Sequence, residues 1–339
     1  MDFMVDLDLK KLPVPIGYRD KILLIGSCFT EHIGNTLAEL KFPVLQNPHG
    51  ILFDPDSVCK SLVSYVENRR YTEADLFQLN EVWNSWQHHS RFSGIDRKAS
   101  LLRINESQQQ AHEFLREANW IIITLGSSFS YRLTAAAEGG TSGTGVANCH
   151  RAPAQWFDKH LMEIEETVAA LDQCYHRLMR FNPNLRILFT ISPVRHLRDG
   201  VVENNRSKAR LIESVHHMVG KFDRLHYFPA YELVIDVLRD YRFYDIDLAH
   251  PNYMATDYVL KRFAESCIEP EAQELMQEVK KIVTARKHRA FQPDTTAHRQ
   301  FLSTHAHKVR HLMEKYPFLD LSAERAYFEQ DASVRSGND

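Results

Sequence analysis

The chain has 339 residues, 44% of them hydrophobic and 25% charged, with a formal net charge of -3. This is ordinary globular composition, which excludes a fibrous or disordered protein, and the near balance of charge gives no global electrostatic case for nucleic acid or an anionic membrane. Residues 1–21 mix Asp2, Asp6, Asp8, Lys10 and Lys11 with Pro13 and Pro15, so no apolar signal-peptide core can be drawn. No later run approaches the ~20 apolar residues of a membrane helix, and a cytoplasmic location without a membrane span is the expectation. The five cysteines, Cys28, Cys59, Cys149, Cys174 and Cys267, are odd in number and lack a CxxC pair, so they read as reduced thiols.

Residues 21–25 form a short apolar run stopped by Gly26, the pattern of a buried strand, and residues 30–40 have helical spacing. The pattern restarts at 42–45 and at 54–66, where Pro55 suits a first helical turn. Residues 67–96 are polar and aromatic with weak periodicity, as expected of an irregular insertion. A helix at 107–118 feeds the most apolar strand, 120–125, which ends at Gly126-Ser127-Ser128. The glycine-rich stretch 133–146 reads as a loop or hairpin and 154–179 as a long helix. A strand at 186–191, a helix at 207–219 and a strand at 225–228 continue the alternation to about residue 268.

Such alternation implies right-handed crossovers and a three-layer α/β/α domain, because parallel neighbours need long covering connections. After Pro270 only helical patterns remain, at 272–286, 298–315 and 322–330. The expected division is an α/β domain over 1–268, a helical extension over 269–332 that packs on the core or on a partner, and a flexible tail over 333–339.

In open α/β sheets ligands gather beyond the carboxyl ends of the strands. Ser27 stands at such an end, after a glycine that lets the backbone turn and before a helix whose first N–H groups face a developing oxyanion. The plainer reading is a helix N-cap serine, and on shape alone it is favoured. Near the end of the α/β region, Asp247 and His250 are three residues apart, a spacing with which a carboxylate orients an imidazole and which also suits a surface ion pair.

Together these pieces resemble the first and last blocks of SGNH-like (GDSL-like) hydrolases, and Gly26-Ser27-Cys28-Phe29-Thr30 resembles the motif that names the GSCFA family. Asn47-Pro-His-Gly50, Thr124-Leu-Gly126, Val146-Ala-Asn-Cys-His150, Ser192-Pro-Val-Arg-His196 and Tyr227-Phe-Pro-Ala-Tyr-Glu232 follow in the family's order. The resemblance spans about residues 20–265. It implies a mainly parallel flavodoxin-like sheet and a serine esterase, deacylase or acyltransferase without metal or organic cofactor. Ser27 would be the nucleophile, His250 the general base and then acid, and Asp247 its orienter. Gly50 and the Ser27 N–H correspond to oxyanion donors. The family's third donor, an Asn after the middle strand, is replaced here by Gly126-Ser127-Ser128, which leaves Asn148 as a substitute and His150 as a pocket-lining neighbour.

Several residues carry rival readings. Cys28 at a helix start suits a cysteine nucleophile, although a small apolar filler is the more common role. His88 and His89 invite a metal, but no ligand spacing accompanies them. Trp83 and Trp86 suit either a sugar platform or a core. Arg195, His196, Arg206 and Lys208 follow a strand end and suit either an anionic substrate or a solvated loop. The expected substrate is an acylated carbohydrate or small metabolite. The alternative is a catalytically weakened domain that binds a glycan or a protein and assembles as a homo-oligomer through its C-terminal helices.

Overall fold

A computed structural model describes residues 5–288 and 291–333; the tail from 334, expected to fray, lies outside the described residues. Five strands form the central sheet: β1 (Ile22–Gly26), β2 (Val44–Gln46), β3 (Trp120–Leu125), β4 (Arg186–Ile191) and β5 (Leu225–Tyr227). Their order is β2-β1-β3-β4-β5 and every neighbouring pair is parallel. All residues of β1 and β3 are buried. Continuous apolar runs are therefore required, since both faces of a parallel sheet are covered.

One face carries Ile22, Leu24, Trp120, Ile122 and Leu188 and packs on α1 (Cys28–Glu39) and on the C-terminal half of the chain. In α1 the apolar stripe is Phe29, Ile33 and Leu37, at four-residue spacing. The other face carries Leu23, Ile25, Ile121, Ile123, Ile187 and Phe189. It packs on α2 (Pro55–Glu67), α3 (Arg97–Glu117), α4 (Ile164–Phe181) and α5 (Val201–Lys221). Asp54 caps α2 by accepting the Ser57 N–H at 2.9 Å, with Pro55 in the first turn, and Asn68 ends it in the left-handed conformation.

The helix expected over 154–179 begins instead at Ile164, under a capping box between Glu163 and Glu166. Residues ahead of it are diverted into a strand, Phe157–Leu161, that pairs antiparallel with Phe129–Leu133, which in turn pairs with Gly145–Val146. The insertion at 67–96 contains a hairpin pairing Phe77–Leu79 with Val82–Asn84. Hairpin and small sheet enclose a separate cluster of Phe77, Trp86, Leu133, Val146 and Trp156. Trp86 stacks on Phe77 at 3.6 Å between ring centroids, so it fills a core rather than offering a sugar platform.

The C-terminal helices α6 (Tyr253–Cys267), α7 (Pro270–Lys287), α8 (Thr296–Lys315) and α9 (Ser322–Ser333) belong to the first face's core through Val259, Phe263, Val279, Val309 and Phe328. Buried Glu324 on α9 pairs with Lys41 at 2.9 Å and with Arg286 at 2.8 Å, which ties the last helix to the sheet domain. No helix among the described residues is long and apolar enough to cross a membrane.

Candidate active site

The carboxyl ends of β1, β3 and β4 lie side by side, with Gly26 in register with Thr124 and Thr124 with Thr190. Gly26 has φ +140°, and a Cβ there would collide with the Thr124 carbonyl, so only glycine fits between the two strands. Residues 47–53 clasp these ends. Buried Asn47 accepts the Gly26 N–H on Oδ1 at 2.9 Å, Leu52 N–H donates to Gly26 O at 3.1 Å, and Phe53 O accepts the Gly126 N–H at 2.8 Å.

Ser27 follows as the N-cap residue of α1, with only 3% of its surface exposed. Its hydroxyl does not cap the helix, and Oγ has no hydrogen-bond partner among the described residues. The ordinary reading of a helix-start serine requires Oγ to accept an N–H of the first turn, and that bond is absent. A buried hydroxyl without a partner costs about 1–3 kcal/mol, so its presence calls for an explanation beyond local structure. The adjacent Cys28 packs partly into the core, and burial pushes its thiol above the usual range, away from the thiolate that a cysteine nucleophile needs.

Asp247 and His250 come together as their spacing suggests. His250 Nδ1 lies 2.6 Å from Asp247 Oδ2, and Asp247 Oδ1 accepts the N–H groups of Ala249 and His250, each at 3.0 Å. The two main-chain N–H groups, with the imidazole beside them, hold the carboxyl down to about 2. The pair sits in an exposed loop, closed by Asp245 N–H on His250 O at 2.8 Å and tied to the end of β4 by Arg195 N–H on Ala249 O at 3.1 Å. Among the described residues no hydrogen bond joins His250 to Ser27.

The expected oxyanion donors are occupied within the main chain: Ser27 N–H donates to Thr124 O at 3.1 Å and Gly50 N–H to Asn47 O at 2.7 Å. The Asn148 side chain accepts the His150 N–H on Oδ1 at 2.9 Å, a bond within its own loop. His150 itself bonds Ser85 O through Nε2 at 2.8 Å and lies against Phe77 and Trp86 in the insertion. The Arg195 guanidinium lies over Tyr244, 4.4 Å from the ring centroid. Gly126 touches the site directly, since a Cβ on it would lie 3.4 Å from Ser27 Cβ. A cavity of about 580 Å³ lies elsewhere, between α2, α4 and the 143–145 loop; it includes His49, Lys60, Arg69 and Arg177 but none of Ser27, Asp247 and His250.

Residues 21–263 match the GSCFA family, and residues 279–333 match the GSCFA domain protein, C-terminal domain. The chain belongs to the GSCFA family. No curated protein sequence matches it. Among solved structures it is similar to an acetyl xylan esterase, Est2A, from the rumen bacterium Butyrivibrio proteoclasticus, at 12% identity and a TM-score of 0.34. That likeness covers 74% of this chain and 64% of the esterase, so the chain spans under two thirds of that protein's length.

Two polar residues of this GSCFA protein carry more of the site than their sequence context suggests. Asn47 is fully buried and supports the glycine before the serine, a role concealed because its partner lies on another strand. Lys208 is fully buried on α5, where a charged residue near a loop reads as solvated. The histidines at 49 and 88 are buried against each other, with ring centroids 4.1 Å apart, and not at the Ser27 turn. Among the described residues no group of three or more His, Cys, Asp or Glu is placed to hold a metal ion.

Proposed function

We propose that this protein is an SGNH-type serine hydrolase or acyltransferase that acts on ester bonds through Ser27, His250 and Asp247. The observation that carries this reading is the buried Ser27 hydroxyl at a strand end, released from the capping bond that its position would normally give it. A hydroxyl left unpartnered beside a glycine turn is free to be recruited by a base. The β2-β1-β3-β4-β5 parallel order is of the flavodoxin-like kind, in which strand ends gather ligands.

In the proposed reaction Ser27 Oγ attacks the ester carbonyl carbon and its proton passes to His250 Nε2. Asp247 keeps Nδ1–H directed to its own carboxylate, so Nε2 is the nitrogen left to accept. Collapse of the tetrahedral anion expels the alcohol, which takes the proton from His250. Water or an acceptor hydroxyl then attacks the acyl-serine, giving up its proton by the same route in reverse. Recruitment of Ser27 requires the exposed 245–250 loop to close on the turn when substrate binds, as catalytic bonds commonly tighten in the complex. The proposed substrate is an acylated carbohydrate or small metabolite.

A second reading, a binding module with weakened catalysis, draws on the occupied N–H groups of Ser27 and Gly50. Intact-mass analysis after exposure to a fluorophosphonate separates the two. A single adduct on wild type and on Cys28→Ala, but not on Ser27→Ala or His250→Ala, is the result expected of the hydrolase; absence of any adduct favours the binding module.

A further inference from the structure

Lys208 lies on the first half of α5 with 1% of its surface exposed. Its Nζ donates to Gly126 O and, at 2.6 Å, to Ser192 O. These carbonyls belong to the first residues beyond β3 and β4, and Gly126 is the residue that abuts Ser27. The same helix holds the rest of this floor. Asn204 Oδ1 accepts the His196 N–H at 2.9 Å, Ser207 Oγ accepts the Ser128 N–H at 2.8 Å, and His196 Nε2 donates to Gly126 O at 3.2 Å.

Among the described residues no carboxylate pairs with Lys208. A buried amine served only by neutral carbonyls is a poor device for stability, because desolvation is costly and an apolar side chain would fill the same space. The groups that face it are the Cys28 thiol on α1, the His196 imidazole and the ring of Tyr231. None is a compensating anion at neutral pH.

We propose that Lys208 is a positioning residue of the Ser27 site: it fixes the Gly126 and Ser192 carbonyls and places a positive potential beneath the serine turn, where the reaction develops an anion. This inference rests on Ser27 as nucleophile. Burial holds the amine down to about 7, so the charge is present below that pH and is lost as pH rises through it.

The test is the rate of fluorophosphonate adduct formation on Ser27, followed by intact mass from about pH 5.5 to about pH 9, in wild type and Lys208→Met. The wild-type rate should show a component that falls with a midpoint near 7. Lys208→Met should be slowed ~10-fold or more below that midpoint and should lack the falling component, while unfolding cooperatively. Superimposable profiles, with wild type labelled on Ser27, would overturn the role of Lys208 alone. Failure of wild type to label would remove the Ser27 reading and this inference with it. Should Lys208→Met not fold, wild type carrying lysine labelled with carbon-13 at Cε decides: a Lys208 resonance that titrates with the labelling rate supports the role, and one that titrates independently of it overturns it.

Discussion

His250 Nδ1 and Asp247 Oδ2 are 2.6 Å apart, and the same carboxylate is anchored by the N–H groups of its own loop. Those N–H groups fix the carboxylate whether or not the ring is present, so the imidazole is oriented by a pre-set acceptor. Replacement Asp247→Asn should leave folding intact and slow Ser27 labelling by about 100-fold or more, because an amide no longer stabilises the imidazolium. Since the Asp247 carboxyl is held to about 2, its ionised form is folded-state stock at every pH above that, and no loss of labelling between pH 5 and 8 should trace to it. Labelling kinetics across that range check both points.

Ser27→Ala removes a buried hydroxyl that has no partner. Labelling should vanish while stability holds or rises, by about 1 kcal/mol at most, as expected where a functional group is kept at a cost to the fold. Urea denaturation beside intact-mass labelling measures both; a large loss of stability would instead identify Ser27 as structural.

Gly26→Ala should be severely destabilising, by roughly 3 kcal/mol or more, because it combines a strained φ with a clash against the Thr124 carbonyl. Asn47→Ala leaves the Gly26 N–H buried without an acceptor and should cost about 1–3 kcal/mol. Chemical denaturation of the two variants ranks them.

Acid should begin to destabilise the protein at about pH 6.5, above the range in which ordinary carboxylates titrate. Burial lowers His49 and His196 to about 4 and His88 well below its usual value. The unfolded chain therefore binds protons that the folded chain refuses. Stability from these histidines is fully present above about pH 6.5 and is lost as pH falls toward about 4, on the order of 3 kcal/mol for His49 alone. Buried Asp54, raised to about 6, works in the opposite sense over part of this window, but one carboxyl offsets only part of three imidazoles. Denaturation midpoints at pH 7.5 and 4.5 should differ accordingly; equal midpoints would contradict the assignment.

The sequence by itself determined the sheet and the two local motifs. Apolar runs punctuated by Gly26 and Gly126 marked β1 and β3, because a strand covered on both faces is apolar along nearly its whole length. Asp247 and His250 meet because three-residue spacing is a local constraint, independent of the rest of the chain. Tertiary structure alone decided where residues 157–161 go, since their pairing with Phe129–Leu133 overrides a pattern that continues into helix α4. It also decided that His150 turns into the insertion, that the C-terminal helices cover one face of the sheet, and that Lys208 reaches two strand ends. Each of these depends on a partner tens of residues away, and side-chain type within a local window carries no information about which distant carbonyl or apolar face will be there to meet it.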